Sequence, residues 1–285
     1  MPPALTTYTF AFGDSGTILN TDSMSFPFID VTNVSGLDTA PLRTTTSEHQ
    51  GMDGTYIDTP FMSSRTVVVT GTLYTLPSDT DTLLDQLKAD YNSNVVRPFY
   101  YQLPGKPIRY VNGQGGGLQY DISTQRRVGI TPVQFTVLAS DPYIYDYPGS
   151  TIGIGSPTVI SVGTSFNMSF NVGFGGGAAT SSGTVTNNGT HTAYPTITLA
   201  GPLTNPSLVD SNGVSMNFSI TLASGDSLVI DCRNKSVVLN GQVSRRSALA
   251  GLKWFSVPAG TSDTIYFAAQ NGTGTATLRM SNTYY

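Results

Sequence analysis

The stretch SMNFSITL, residues 215–222, places Met216, Phe218, Ile220 and Leu222 at every second position, with Ser215, Asn217, Ser219 and Thr221 between them. Successive side chains of a strand point to opposite faces, so this period predicts an antiparallel strand buried on one face and wet on the other. The alternation returns in TATLRMS (275–281) through Ala276, Leu278 and Met280, and in TPVQFTVLASDPYIYD (131–146), where Gln134 and Thr136 separate Val133, Phe135 and Val137. TVVVTGTLY (66–74), RPFYYQL (97–103) and IRYVNG (108–113) carry the β-branched and aromatic residues of further strands. Asn-Gly, a strong hairpin signal, begins at Asn112, Asn188, Asn212, Asn240 and Asn271. Short strands punctuated in this way imply a sandwich.

One segment breaks the period. SDTDTLLDQLKADYNS (78–93) puts Leu83, Leu84, Leu87 and Tyr91 on one face at helical spacing, with Asp79, Thr80 or Asp81 as caps for its first amides. The expected helix occupies residues near 80–93. The Asp79 and Asp81 pair reads as a cap rather than as metal ligands.

At 285 residues the chain exceeds what one hydrophobic core comfortably serves, so two domains are expected. YPGSTIGIGSP (147–157) is the linker candidate, because its prolines and glycines oppose both a helix and a long ladder. The fold class follows as all-β with one helix. An N-terminal β-barrel or sandwich domain with a single α-helix spans 1–146, and a C-terminal β-sandwich spans 158–285.

Charged residues make up 11% of the chain, less than half of the usual share of about 25%. With 13 Phe, 15 Tyr and a formal charge of only −4, the composition favours burial over disorder. Residues 1–146 hold eight Lys/Arg against fourteen Asp/Glu, a net of −6, and residues 147–285 hold six against four, a net of +2. Neither half has the cationic stripe that releases counterions from a duplex, so tight nucleic-acid binding is not expected. The charge-free run from Tyr147 to Val209 is too often interrupted by Gly, Ser, Thr and Asn to insert in a membrane. The N-terminal MPPALTTYTF lacks the layout of a signal peptide, which predicts a chain that stays in the cytosol where it is made. The Asn-x-Ser/Thr triplets at Asn188 and Asn271 then reflect surface composition rather than glycan acceptors.

No catalytic, cofactor-binding or metal-binding residue is expected. SGDSLVIDC (224–232) contains the letters of the GDSL esterases, and FGDSG (12–16) those of a trypsin-like serine. A serine hydroxyl needs a base, and the chain has only His49 and His191: nothing downstream of Ser227, nothing upstream of Ser15. Gly225 and Asp226 instead read as a turn into a strand whose Leu228, Ile230 and Cys232 face the core. Cys232 is then a small core residue, and two histidines with one cysteine give no zinc spacing. GFGGGA (173–178) fits G-x-G-x-x-G/A but is followed by ATSSGTVTNNG, which contains no helix to present amides to a pyrophosphate.

The order of motifs resembles the distal tail proteins of long, flexible-tailed bacteriophages of siphovirus type, often labelled minor tail proteins. In the first half the resemblance lies in SSRTVVVTGTLY, then LLDQLKADY, then VQFTVLASDPYIYD with its Asp-Pro-x-x-Tyr close. In the second half it lies in VTNNGTHTAYPTITLAGPLTNPSLV, ITLASGDSLVIDCRNKSVVLNG, LKWFSVPAGTSDTIYF and the terminal ATLRMSNTYY. The family's Gly-Asp turn into an apolar strand ending in Asp is matched by Gly225, Asp226 and Asp231. Ser262-Asp263 departs from the asparagine usual there, and residues 1–50 match poorly.

The resemblance implies a structural virion protein at the distal end of the tail, assembled in the host cytoplasm, and not an enzyme. It implies a hexameric ring closed by the N-terminal domains, with galectin-like jelly-roll sandwiches held outward. The ring would join the tail tube protein to a tail-tip hub protein, with a receptor-binding protein as a further partner, and viral DNA would pass its lumen unbound. The rival expectation is a carbohydrate-binding module recognising host-surface glycans. Its candidate platform is Trp254, the only tryptophan, although the neighbouring Leu252, Phe255 and Val257 favour a place in the core.

Overall fold

A computed structural model gives the fold and describes residues 4–14, 17–20, 26–91, 94–159 and 181–285. The chain divides into two compact units, Met1–Tyr147 with Tyr285, and Pro148–Tyr284.

The first unit begins with β1 (Phe10–Phe12) and β2 (Phe28–Ser35). Four short strands follow: β3 (Leu42–Arg43), β4 (Thr46–Glu48), β5 (Thr55–Ile57) and β6 (Phe61–Met62). Then come β7 (Arg65–Tyr74), helix α1 (Thr80–Tyr91), β8 (Arg97–Tyr101), β9 (Ile108–Tyr120), β10 (Ile130–Ala139) and β11 (Ile144–Tyr147). The strands run in the order β1-β8-β9-β10-β7-β2, with β11 also on β9. Val67, Val69 and Leu73 of β7 and Val133, Phe135 and Val137 of β10 are buried, as the alternation requires.

β9 joins the two parts of this sheet. Residues 109–113 pair with β8 and residues 114–120 with β10, and a bulge lies opposite Thr136/Val137. A bulge kinks a strand and strengthens its twist, and Gly113, Gly115, Gly116 and Gly117 stand at the kink. At Gly115 an added Cβ would lie 1.6 Å from the carbonyl oxygen of Tyr91, the last residue of α1. The helix therefore seats its C-terminal backbone directly on the strand. Its buried face is Thr80, Leu84, Leu87 and Tyr91, with Leu83 at the margin. The Tyr91 ring packs on Phe12 and Phe135 with centroids 5.2 and 4.3 Å away. Asn112-Gly113, expected as a hairpin turn, lies inside β9, because its pairing with Pro98 and Arg97 of β8 overrides the local turn preference.

The second unit contains β12 (Ser150–Ile154), β13 (Thr158–Val159), β14 (Ser181–Asn187), β15 (Thr196–Ala200), β16 (Leu203–Asp210), β17 (Ser215–Phe218) and β18 (Thr221–Leu222). It continues with β19 (Ser227–Asp231), β20 (Ser236–Leu239), β21 (Val243–Ser244), β22 (Leu249–Ala250), β23 (Thr261–Gly272) and β24 (Thr275–Met280). One sheet has the order β12-β24-β15-β19-β20-β21. The other has β13-β23-β16-β17-β22, with β14 on β23 and β18 on β16. Ile197, Leu199, Leu228, Ile230 and Leu278 of the first sheet share one core with Leu208, Met216, Phe218, Ile265 and Phe267 of the second.

The linker expectation needs correction. Residues 150–154 form a ladder with β24 from Ser150↔Met280 to Ile154↔Ala276, and Ile154 is buried in the second unit's core. Gly153 and Gly155 do not prevent this, because an edge strand needs partners on one side only. Sandwich structure thus begins at 150 rather than 158. GFGGGA (173–178) and Ser15 lie outside the described residues.

Candidate functional site

The residues that carry catalytic motifs have structural work. Gly225 adopts φ +90° and turns the chain into β19. Asp226 accepts hydrogen bonds from Asn240 Nδ2 (3.0 Å) and the Ala223 amide (2.8 Å), which hold its carboxyl below the ordinary carboxylate range. The Ser227 amide donates to Asn240 Oδ1 at 2.8 Å, and Ser227 pairs with Ala200 across the sheet. Asp231 closes the next turn by accepting the amides of Arg233 and Asn234. Of the histidines, His191 bridges to Thr283 and His49 packs on Tyr56. The GDSL letters therefore encode a hairpin whose ends are pinned by Asn240. Cys232 is fully buried, and desolvation pushes its thiol up to about 12.

Among the described residues no group of three or more His, Cys, Asp or Glu could hold a metal. Near α1, Asp79 accepts the Ser78 hydroxyl, Asp81 pairs with Arg126, and Thr80 bonds Thr75 Oγ1 at 2.6 Å. Among the described residues no helix amide donates to either carboxylate, so the expected cap is not formed: Asp79 holds the preceding Ser78, and Asp81 ties the first turn to Arg126 instead.

Trp254 is neither a core residue nor a bare platform. It is partly buried at the margin of the sandwich core, and the Arg246 guanidinium lies over its ring, 4.8 Å from the centroid. The expected apolar setting fails on one side, since Leu252 is 85% exposed, whereas Phe255 and Val257 are buried.

The feature that the sequence did not announce is an arm formed by residues 42–62. β3 pairs with β6 (Leu42↔Met62, Arg43↔Phe61) and β4 with β5 (Thr46↔Ile57 to Glu48↔Thr55), the register shifting by one residue between the two ladders, and the His49 amide donates to the Gly54 carbonyl at the tip. Both strands face solvent on both sides, so alternation has no core to report. Met52, Ile57 and Phe61 are 71%, 69% and 61% exposed. The available signal was Gly51 and Gly54 between the short segments TSE and TYI, which is a turn signal without hydrophobic contrast.

Arg65 holds the base of this arm. Its side chain is buried; Nε donates to the Pro142 carbonyl at 2.8 Å, and Nη1 donates to the carbonyls of Gly36 (2.8 Å) and Asp38. Desolvation lowers its pKa, opposed by Tyr101 and Asp38. Gly36 is required there: its φ is +86°, and an added Cβ would meet the Thr66 carbonyl oxygen at 2.0 Å. Pro142 belongs to the Asp-Pro-x-x-Tyr close, so that motif and the arm meet on one guanidinium.

Residues 188–284 match the family model described as siphovirus-type tail component, C-terminal domain. No curated protein sequence matches the chain significantly. The SPP1 Dit protein, described as a paradigm of hub adsorption apparatus in Gram-positive-infecting phages, aligns with a TM-score of 0.65 at 14% identity, over 98% of this chain and all of that one. Chains of the phage p2 baseplate in its activated conformation, with calcium and with strontium, align with TM-scores of 0.57 and 0.55 at 11% identity, over 96% of this chain and 98% of theirs. At such identities the structures speak for the fold. The family model is that of a tail component and not of an enzyme. The chain thus resembles the distal tail proteins of siphoviruses, through a family model over most of its second unit and a shared fold over nearly its whole length.

Proposed function

We propose that this protein is a structural part of a phage virion, a distal tail hub whose first units close a six-membered ring between the tail tube protein and a tail-tip protein. The observation that carries the reading is the likeness to SPP1 Dit over the full length of both chains. Closing a ring requires a heterologous contact, one patch meeting a different patch on the next copy. The arm supplies one such patch: a two-stranded ribbon is marginal alone in water, and this one exposes Leu42, Met52, Tyr56, Ile57 and Phe61. The next copy in the ring is its partner. The net charge of −6 over residues 1–146 suits a lumen that DNA crosses without adhering. Assembly takes place in the host cytoplasm, and the galectin-like second unit points outward, where receptor-binding proteins attach.

Light scattering and electron microscopy of the purified chain test this. Wild type should give closed rings, and Ile57→Asp with Phe61→Asp should give folded monomers. A monomeric wild type at tens of micromolar would refute the ring.

The second reading is an adhesin that stacks host glycans on Trp254, and partial exposure of the ring favours it. Arg246 would first have to leave the ring face. Trp254→Ala should cost about 2 kcal/mol, less than the roughly 3–5 kcal/mol of a fully buried aromatic. Loss of cell-wall glycan binding at unchanged melting temperature would favour the adhesin.

A further inference from the structure

The second unit has an uneven distribution of spent and unspent polar groups. Its four carboxylates are engaged: Asp210 accepts the amides of Asn212 and Val214, Asp263 accepts the amide and hydroxyl of Ser211, and Asp226 and Asp231 close the turns described above. Five of its six cations fall between Arg233 and Lys253. One of them, Arg245, lines a cavity of about 390 Å³ together with Ser219, Thr221 and Ser247, while Ile220 and Leu239 supply apolar wall. Among the described residues, no hydrogen bond or ion pair engages the Arg245 guanidinium or the three hydroxyls.

The backbone around the cavity is fixed. The Arg245 amide donates to the Val237 carbonyl at 2.8 Å, the Ala248 amide to the Arg245 carbonyl at 3.0 Å, the Ser219 amide to the Ala248 carbonyl at 2.8 Å and the Asn205 amide to the Ile220 carbonyl at 2.9 Å. The amides of Arg245, Ala248 and Ser219 on the rim are thus already paired, which lowers the ordering cost of binding.

We propose that this cavity, lined by Arg245, Ser219, Thr221 and Ser247, binds a phosphorylated polyol or sugar unit. A guanidinium offers paired donors that match phosphate oxygens, and hydroxyls both donate to and accept from a polyol. The volume lies within the range of small-molecule sites, about 300–1,000 Å³. Duplex DNA fits less well, because it needs cations spread along a stripe. The assignment is independent of ring closure.

Calorimetric titration of the full chain with glycerol 3-phosphate and, separately, with glycerol tests it. Wild type should bind the phosphate ester at millimolar or better affinity and glycerol at least tenfold more weakly. Arg245→Gln, on an exposed side chain, should weaken the phosphate ester about tenfold at unchanged melting temperature, and Ser247→Ala a fewfold. Arg279→Gln, on β24, should bind as wild type. No heat with glycerol 3-phosphate at 10 mM, equal loss in Arg279→Gln, or tighter Arg245-dependent binding of a 20-base-pair duplex would overturn the assignment.

Discussion

The hydroxyl of Tyr145 donates to Asp141 Oδ2 at 2.6 Å, while Asp141 Oδ1 accepts the Tyr143 amide at 3.3 Å. The Asp-Pro-x-x-Tyr sequence is therefore a closed loop in which the carboxylate ties the start of the turn to β11, and the intervening Pro142 carbonyl is free to accept Arg65. Tyr145→Phe should destabilise the first unit by about 1.5–3 kcal/mol, the net worth of a hydrogen bond to a carboxylate. Denaturant titration of wild type and variant measures this.

Gly115→Ala should be far costlier than an ordinary strand glycine change. Its Cβ would overlap the Tyr91 carbonyl oxygen, which is backbone and cannot rotate away. Overpacking of this kind costs typically about 1–3 kcal/mol and here should reach the upper end. Hydrogen exchange should show the α1 amides opening first.

Cys232 sets a pH dependence. Burial raises its thiol from 9.0 to about 12 in the folded chain. Below pH 9 both states hold the proton, and the contribution to stability is complete. As pH rises from about 9 towards 12 the unfolded chain releases the proton while the folded one retains it, so stability falls. Melting curves at pH 8 and pH 10.5 should show this loss, and Cys232→Ala should reduce its size. At pH 8 iodoacetamide should label the thiol only after unfolding.

β12 belongs with the second unit, so a fragment of residues 148–284 should fold as a monomer and melt above a fragment of residues 158–284. The shorter one lacks the Ser150–Ile154 ladder and exposes the edge of β24. Equal melting temperatures would show that β12 is peripheral to the unit's stability.

How much was legible depends on whether a residue's role is local. Period-2 alternation located Val133, Phe135, Val137, Met216, Phe218 and Leu278 on buried faces, because a strand with one wet side writes its orientation into the sequence. Helical spacing located Leu84, Leu87 and Tyr91, and the lack of a histidine partner is enough in the sequence itself to remove Ser227 from catalysis. The arm, the use of Asn112-Gly113 inside β9, and the pairing of residues 150–154 were decided only in three dimensions. Each depends on a partner far along the chain: Met62 for Leu42, Pro98 for Asn112, Leu278 for Ile152. Local preference is worth about 1 kcal/mol per residue or less, and a ladder with a buried face outweighs it. Trp254 shows the same division: its apolar neighbours in sequence pointed inward, whereas in the fold the Arg246 guanidinium lies over its partly exposed ring.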